Sequence, residues 1–233
     1  ERNRKLILLK NELISNISHE LKTPVSSVKI ALESIRRKGR EQDAQTINYL
    51  NQSEREVTRL QFLIDKVLQS SLLEEKNLQL AKESVDLIRI VENCKSHLSL
   101  LAEEKGIKIL VECKQESLSC QGDSHLLEHS ICNLLENAIK YGPEGKPVTV
   151  EFLKKEDNIL IRVKDLGKGV EPEYIQSIFD RFFRSPSNDI HNVKGHGLGL
   201  HFVKSVIEQH GGSVSAKNLN PGFSVQVKLP IHG

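Results

Sequence analysis

Apolar residues recur at steps of three and four through the first part of the chain, and this stripe restricts the fold more than any other feature. Its members are Leu6, Leu9, Leu13, Ile17, Leu21, Val25, Val28, Leu32 and Ile35. Because an α-helix has about 3.6 residues per turn, this spacing places them on one helix face. The stripe therefore predicts a long amphipathic helix that must pack against other helices.

His19 lies out of phase with this stripe, so we expect its imidazole on the solvent-facing side of the helix. Pro24 lies within the stripe and removes the N–H that would bond the Glu20 carbonyl. One helix could end near Lys22, with Thr23 as the N-cap of a second helix. Because the stripe passes Pro24 without losing phase, we predict a kinked continuous helix with a weakened hydrogen-bond ladder just after His19.

A second amphipathic segment, from about Ala44 to Leu73, follows the charged, glycine-containing stretch RRKGREQDA. That stretch is typical of a hairpin tip. Two helices cannot cover both apolar stripes, so we expect a symmetric homodimer in which the hairpins form a four-helix bundle. An intramolecular coiled coil laid against the second region is the alternative. We assign the hairpin to residues 1–77 and interpret EEKNLQLAKES as a linker.

The pattern changes after this linker to short strands mixed with helices. Strand-like runs lie at Lys108–Cys113, Val148–Leu153, Ile159–Lys164, Ser213–Ala216 and Ser224–Leu229. Helical patterns lie at Ile90–Glu104, Ser124–Tyr141 and Leu200–His210. Strands that pair locally, with helices on one face, predict an α/β sandwich of the α+β kind over residues 83–233.

Composition limits the function classes. The formal net charge of the 233 residues is +2, which gives no case for nucleic acid as a partner. No apolar run is long enough to span a bilayer. The four cysteines form no CxxC pair, which is typical of a reducing compartment. Helical periodicity is under way by Leu6, without an initiator Met at Glu1, so we expect a piece of a longer protein.

The segment NLLENAIKY carries the strongest chemistry of the second region. Asn133, Asn137 and Lys140 fall on one helix face. Asn oxygens suit a hard cation such as Mg²⁺, and a lysine supplies a point charge for phosphate. Taken alone, the Asn pair fits a solvated helix face equally well. His125, His129 and Cys132 have a spacing compatible with zinc, but no fourth ligand is evident.

Two glycine-rich segments follow. Asp165 opens DLGKG at the end of a strand-like run, where it can accept a hydrogen bond from an exocyclic amine, although DxGxG is often only a turn. GHGLGL opens the last helix, whose free N–H groups favour phosphate, and its spacing fits neither a Rossmann motif nor a Walker A loop. We interpret the polar segment Ser185–Lys194 as a mobile lid, and the phenylalanines before it as a hinge or docking patch.

The segment SHELKTP resembles the H-box of sensor histidine kinases of two-component signalling. The later motifs resemble, in order, the N, G1, F and G2 boxes of the catalytic domain of that family, which belongs to the gyrase/heat-shock-chaperone/MutL ATPase superfamily. The resemblance implies that His19 is the phosphoacceptor and that Glu20 orients its imidazole and takes up its proton. It also implies that Thr23 helps position water for dephosphorylating the partner protein.

In the second region, the resemblance implies ATP and Mg²⁺ as cofactors. Asn137, with help from Asn133, would hold Mg²⁺, while Lys140 would contact phosphate and Asp165 would recognise adenine. Further nucleotide contacts would come from Tyr141, Gly167, Gly169, Arg184, Gly195, Gly197, Leu198 and Gly199. Arg184 is the candidate for the γ-phosphate. His196 and His201 depart from the usual pattern, and we assign them no role.

Asn133 stands where the resemblance places a water-activating Glu in the superfamily's hydrolases. Slow hydrolysis is therefore implied, which preserves ATP for His19. Glu136 is a possible substitute base, but its position next to Asn137 points it off that helix face.

We therefore predict a homodimeric histidine kinase core that moves the γ-phosphate of ATP to His19 and then to an aspartate of a response-regulator receiver domain, with phosphatase activity towards that regulator. The alternative is a non-catalytic nucleotide-binding dimerisation module or a conformational-clamp ATPase. The resemblance implies that sensory, often membrane-spanning parts precede this chain. We accordingly expect the cytoplasmic portion of a membrane-anchored bacterial sensor kinase.

Overall fold

The computed structural model describes residues 80–184 and 197–232, together with residues 25, 26, 28–30, 32, 33, 47, 50 and 53. The chain divides into two compact units, Glu1–Glu75 and Lys76–Gly233. Our boundaries of 1–77 and 83–233 stay predictions. Within the described residues, no helix combines the length and the apolar character needed to cross a membrane.

The described residues of the first unit are all helical. Several of their large apolar side chains are exposed in the single chain, namely Val25, Ile30, Leu32, Ile47 and Leu50. The predicted kink at Pro24, the hairpin tip, and the predicted site residues His19, Glu20 and Thr23 lie outside the described residues.

The second unit mixes strands and helices, as its sequence pattern predicts. In chain order its elements are β1 (Glu83–Asp86), α1 (Leu87–His97), α2 (Ser99–Glu104), β2 (Ile109–Glu112), β3 (Ser119–Gly122), α3 (Ser124–Tyr141), β4 (Val148–Lys155), β5 (Asn158–Asp165), two 3₁₀ turns (Pro172–Tyr174 and Ser177–Phe179), α4 (Gly199–Gln209), β6 (Ser213–Leu219) and β7 (Gly222–Pro230).

The strands form two sheets. Five strands make the larger sheet in the order β2-β4-β5-β7-β6, while β1 and β3 pair separately. In the larger sheet β2 runs parallel to β4, and every other neighbouring pair is antiparallel. The buried side of β4 carries Val148, Val150 and Phe152, which alternate with less buried residues as expected of a sheet with one covered face.

The helices supply the other side of the core. The inner face of α3 includes Leu127, Ile131, Leu134, Leu135 and Ile139, all nearly inaccessible to solvent, and α4 adds Phe202, Val203 and Ile207. A helical first region followed by an α/β sandwich is therefore confirmed as the fold class.

Two features of the second unit differ from the sequence-based expectation. The helix predicted over Ile90–Glu104 is two helices, with a break at Leu98, whose N–H still bonds the Cys94 carbonyl. The small β1–β3 sheet was not predicted. Its strands, ESVD and SCQG, each carry a single apolar residue, so no strand-like run stands out, whereas the equally short β2 has three apolar residues in ILVE.

One pair of cysteines also departs from the expectation of four reduced thiols. Cys94 of α1 and Cys132 of α3 are joined by a disulfide, with their Cα atoms 5.2 Å apart, whereas Cys113 and Cys120 are free. The partners are 38 residues apart in the chain. A search for close pairs such as CxxC cannot find them, because helix packing brings them together. The bond also removes the Cys132 thiolate from any zinc site.

Candidate nucleotide-binding site

Helix α3 carries the first group of predicted site residues. Asp123 caps its start by accepting a hydrogen bond from the Leu126 N–H at 3.1 Å. Its apolar face is buried against the sheet and α4, which fixes the rotation of the helix. Asn133 is consequently 9% exposed, while Asn137 and Lys140 are half-buried.

Asn133 and Asn137 lie next to the first turn of α4. The Asn133 Nδ2 donates to the His129 carbonyl at 2.9 Å, so the amide nitrogen is committed to the preceding turn. A Cβ placed on Gly199 would lie 3.1 Å from Asn133 Oδ1 and 3.9 Å from Asn137 Nδ2. Gly199 thus lets the N-terminus of α4 approach the Asn pair. Amide oxygens next to a helix N-terminus suit a cation–phosphate pair.

The C-terminal end of α3 is held by two lysines. Lys140 Nζ pairs with Glu136 Oε1 at 2.5 Å, one turn back on the same helix. Lys105 Nζ donates to the carbonyls of Ile139 and Lys140 at 3.0 and 2.6 Å, and so satisfies the last carbonyls of the helix. Sequence reasoning missed Lys105, whose role depends on a contact between distant segments. The ion pair also engages the Glu136 carboxylate, our possible substitute base.

Asp165 lies at the end of β5 and is 7% exposed. Its Oδ1 accepts a hydrogen bond from the Gly167 N–H at 2.8 Å. Burial raises the pKa of the Asp165 carboxyl above its ordinary value, and the hydrogen bond from Gly167 acts in the opposite direction. A Cβ on Gly167 would lie 2.6 Å from the Tyr141 carbonyl oxygen. The glycine therefore brings the loop after Asp165 against the end of α3, beside the exposed Tyr141.

A backbone hydrogen bond connects the residues that follow the second 3₁₀ turn with those that precede α4. The Phe182 N–H donates to the Gly197 carbonyl at 3.0 Å. Gly197 has φ +66°, and a Cβ there would lie 2.6 Å from the Phe183 carbonyl oxygen. Leu198 follows as the N-cap of α4. Arg184 is exposed at the last described position before the gap, while Gly195 and the predicted lid lie outside the described residues.

The structure thus brings the predicted residues together in two groups. Asn133 and Asn137 meet Gly199, while at the end of the same helix α3 Gly167 meets Tyr141 and Asp165 lies next to Gly142. His201, to which we gave no role, lies with its Nδ1 3.1 Å from the Phe179 carbonyl and links α4 to the second 3₁₀ turn.

Two family models match the chain. Residues 9–76 match the His Kinase A (phospho-acceptor) domain. Residues 122–233 match the histidine kinase-, DNA gyrase B- and HSP90-like ATPase, and this match indicates ATP binding.

Individual proteins agree with these matches. The sensor protein RprX of Bacteroides fragilis is 29% identical over 99% of this chain and 45% of that protein. Among solved structures, the mycobacterial sensor histidine kinase MprB is 27% identical, with a TM-score of 0.56 over 64% of this chain and 97% of that one. Histidine kinase ThkA, solved in complex with response regulator protein TrrA, is 20% identical, with a TM-score of 0.61 over 99% of this chain and 64% of that one, and shows likeness of fold. The chain spans less than half the length of the curated relatives it matches.

Proposed function

The chain belongs to the sensor histidine kinase family, with a phospho-acceptor region followed by an ATP-binding region, and from this premise we propose that it transfers the γ-phosphate of ATP to His19. The phosphoryl group then passes to an aspartate of a response-regulator receiver domain. The observation that carries this proposal is the meeting of Asn133 and Asn137 with the N-terminus of α4, on the same helix that ends beside Asp165.

The residues of α3 and α4 are suited to hold the triphosphate. Asn133 and Asn137 would hold Mg²⁺, which when bound neutralises negative charge on the transferring group. The free N–H groups at the start of α4 favour phosphate oxygens. Lys140 can exchange its Glu136 partner for a phosphate oxygen, because a lysine on a flexible stem reorients at low cost. Asp165, whose Oδ1 bonds Gly167, retains Oδ2 to accept from the adenine amine.

The chemical step needs a neutral imidazole as nucleophile. A ring nitrogen of His19 forms the N–P bond while the bond from the γ-phosphorus to the bridging oxygen breaks, and ADP leaves with that electron pair. Glu20 takes the proton from the other ring nitrogen. Thr23, one turn further along the helix, would orient water in the reverse task of dephosphorylating the regulator.

Hydrolysis of ATP by this site should be slow, because Asn133 has no carboxylate with which to deprotonate water. Glu136 could substitute for it, but its position next to Asn137 on α3 points it off the helix face that carries the Asn pair. This favours phosphorylation of His19 over the alternative of a conformational-clamp ATPase.

We also propose a homodimer formed through the first unit. The side chains of Val25 and Leu32 belong to the first predicted apolar stripe, those of Ile47 and Leu50 lie in the second amphipathic segment, and each is about half exposed in the single chain. A second copy would cover them in a four-helix bundle. Because the chain spans 45% of RprX, we further propose that it is the cytoplasmic portion of a longer, membrane-anchored sensor.

Incubation with ATP labelled at the γ-phosphate tests the central proposal. We expect acid-labile, base-stable label on the wild-type protein and none on His19→Gln. The matched control is His232→Gln, an exposed histidine near the C-terminus, which should label normally. Label retained by His19→Gln, or steady phosphate release without labelled protein, would reject the kinase in favour of another acceptor or an ATPase. Addition of a purified receiver domain should then remove the label from His19.

A further inference from the structure

We propose that Asn218 of β6 is a positioning residue that holds the adenine-binding loop in place. The loop, residues 166–170, follows Asp165, and Asn218 lies 48 residues further along the chain from Val170. The inference rests on the proposed nucleotide site, because it concerns the loop that presents Asp165 to the base.

The amide of Asn218 binds the backbone of one loop residue from both sides. Its Oδ1 accepts from the Val170 N–H at 3.0 Å, and its Nδ2 donates to the Val170 carbonyl at 2.6 Å. A side-chain amide that pairs with the N–H and C=O of one residue replaces a neighbouring strand as hydrogen-bond partner. Val170 is thereby fixed in position and orientation.

The sheet register explains why this residue reaches the loop. Asp165 on β5 lies opposite Phe223 on β7, and Phe223 lies opposite Asn218 on β6. The loop that leaves β5 at Asp165 thus passes the end of β7 and is bound at β6. The Gly167 N–H donates to Asp165 Oδ1 near the start of the loop, and Asn218 fixes its end.

Two glycines show how closely the loop fits this support. Gly169 has φ +74°, and a Cβ there would overlap Asn218 Oδ1. Gly222, at the start of β7, has φ +113°, and a Cβ there would overlap the carbonyl oxygen of Asp165. The β6–β7 hairpin therefore contacts the loop at both ends, through Gly222 beside Asp165 and through Asn218 beside Gly169.

Loss of the Asn218 amide should act on base recognition more than on folding. Asn218 is exposed and contributes nothing to the apolar core, so we expect the fold to tolerate its loss. A loop released at Val170 has more conformations, and ordering it on binding reduces affinity. The affected part of the nucleotide is the base that Asp165 contacts. If Asn218 positions the loop for base recognition, its loss should reduce the preference for a base with an exocyclic amine. A purely structural role would leave that preference unchanged.

The first experiment needs no nucleotide. Hydrogen exchange of residues 166–170 is compared in wild type, Asn218→Ala and the control Ser215→Ala, an exposed substitution on the same strand. We expect faster exchange of the Val170 amide in Asn218→Ala alone, with an unchanged melting temperature. Asn218→Leu, which is of similar size but removes both the acceptor and the donor, should show the same direction of change if Asn218→Ala is too unstable to measure. Unchanged exchange in both variants overturns the inference, whatever the protein binds.

The second experiment compares the dissociation constants of ATP and of purine riboside triphosphate, which lacks the amine. Wild type should prefer ATP, and Asn218→Ala should weaken ATP binding roughly tenfold while reducing that preference. An equal loss for both nucleotides, or none, overturns the positioning role. No preference in wild type refutes instead the proposed contact between Asp165 and adenine, and leaves the exchange result to decide the role of Asn218.

Discussion

The two ends of the proposed nucleotide site are held in place by different kinds of interaction. The phosphate end, defined by Asn133, Asn137 and Gly199, lies between two helices whose inner faces form the core. The adenine end, defined by Asp165, Gly167 and Asn218, is a strand terminus and a loop held by hydrogen bonds near the surface. Helix packing involves many apolar contacts at once, whereas each loop hydrogen bond contributes only about 1 kcal/mol. The phosphate end should therefore be the more rigid of the two.

Reduction of the disulfide should lower the free energy of unfolding strongly, and it tests whether the rigidity of the phosphate end depends on this bond. The Cys94–Cys132 bond ties α3 to α1 across 38 residues of chain, and constraint of the unfolded state by a loop of this size corresponds to about 4 kcal/mol. Denaturant unfolding with and without dithiothreitol measures the difference. Hydrogen exchange should quicken in α1 and α3 but not in residues 166–170.

The variant Cys113→Ser serves as the control, because Cys113 is a free cysteine outside the pair. It should retain the response to dithiothreitol, whereas Cys94→Ser should lose it. A protein whose stability is indifferent to dithiothreitol would contradict the prediction.

Removal of an amide at the phosphate end should affect catalysis strongly and stability little. We expect Asn137→Ala to lower the rate of His19 labelling by about 100-fold, because it removes a ligand of the Mg²⁺ that would neutralise charge on the transferring group. Initial rates with labelled ATP measure this, with His125→Ala, an exposed position on the same helix, as the control. Comparable rates for the two variants would remove Asn137 from the site.

An added methyl group tests how little room the phosphate end has. Gly199→Ala places a Cβ 3.1 Å from Asn133 Oδ1, which requires the amide to shift. Nucleotide affinity should fall about tenfold, because the shifted amide is displaced from the cation, while the gain in helix propensity offsets the overpacking and leaves the free energy of unfolding within about 1 kcal/mol of wild type. Titration calorimetry and chemical denaturation separate the two quantities. Undiminished affinity would show that the phosphate end is as adaptable as the adenine end.

The smallest effect concerns pH and the support behind the phosphate end. His210 Nε2 accepts from the Asp123 N–H at 2.9 Å, and its Nδ1 donates to the Val206 carbonyl at 2.7 Å, so the neutral ring joins the start of α3 to the end of α4. Burial lowers the pKa of His210 below its ordinary 6.5. Below pH 6.5 the unfolded chain therefore binds a proton that the folded protein does not.

The free energy of unfolding should consequently be constant above this pH and fall as the pH decreases from 6.5 towards the lowered pKa of His210. Denaturation curves measured from about pH 5 to about pH 8 test this, because histidine side chains titrate in that range. His210→Gln should flatten the dependence, and His232→Gln should not. An identical slope in His210→Gln would assign the dependence to other groups.

The local pattern of apolar residues was sufficient to predict most helices and strands of the second unit. The period of apolar residues predicts a helix over Ser124–Tyr141, and α3 has these bounds. The strand-like runs Val148–Leu153 and Ile159–Lys164 predict β4 and β5, and both strands extend slightly beyond these runs. These elements are long, and their side chains meet neighbours a few residues away, so the period is readable from the sequence itself. β1 and β3 each carry only one apolar residue, so no such pattern marks them.

The order of the motifs, the helix that carries Asn133 and Asn137, and the strand that ends at Asp165 are all readable along the chain. The contacts of Cys94 with Cys132, of Lys105 with the end of α3, and of Asn218 with the loop after Asp165 became visible in the folded protein alone. Those contacts join segments 34 to 48 residues apart. Their geometry follows from strand order and helix packing, which depend on the whole core at once, and no periodicity along the chain encodes them.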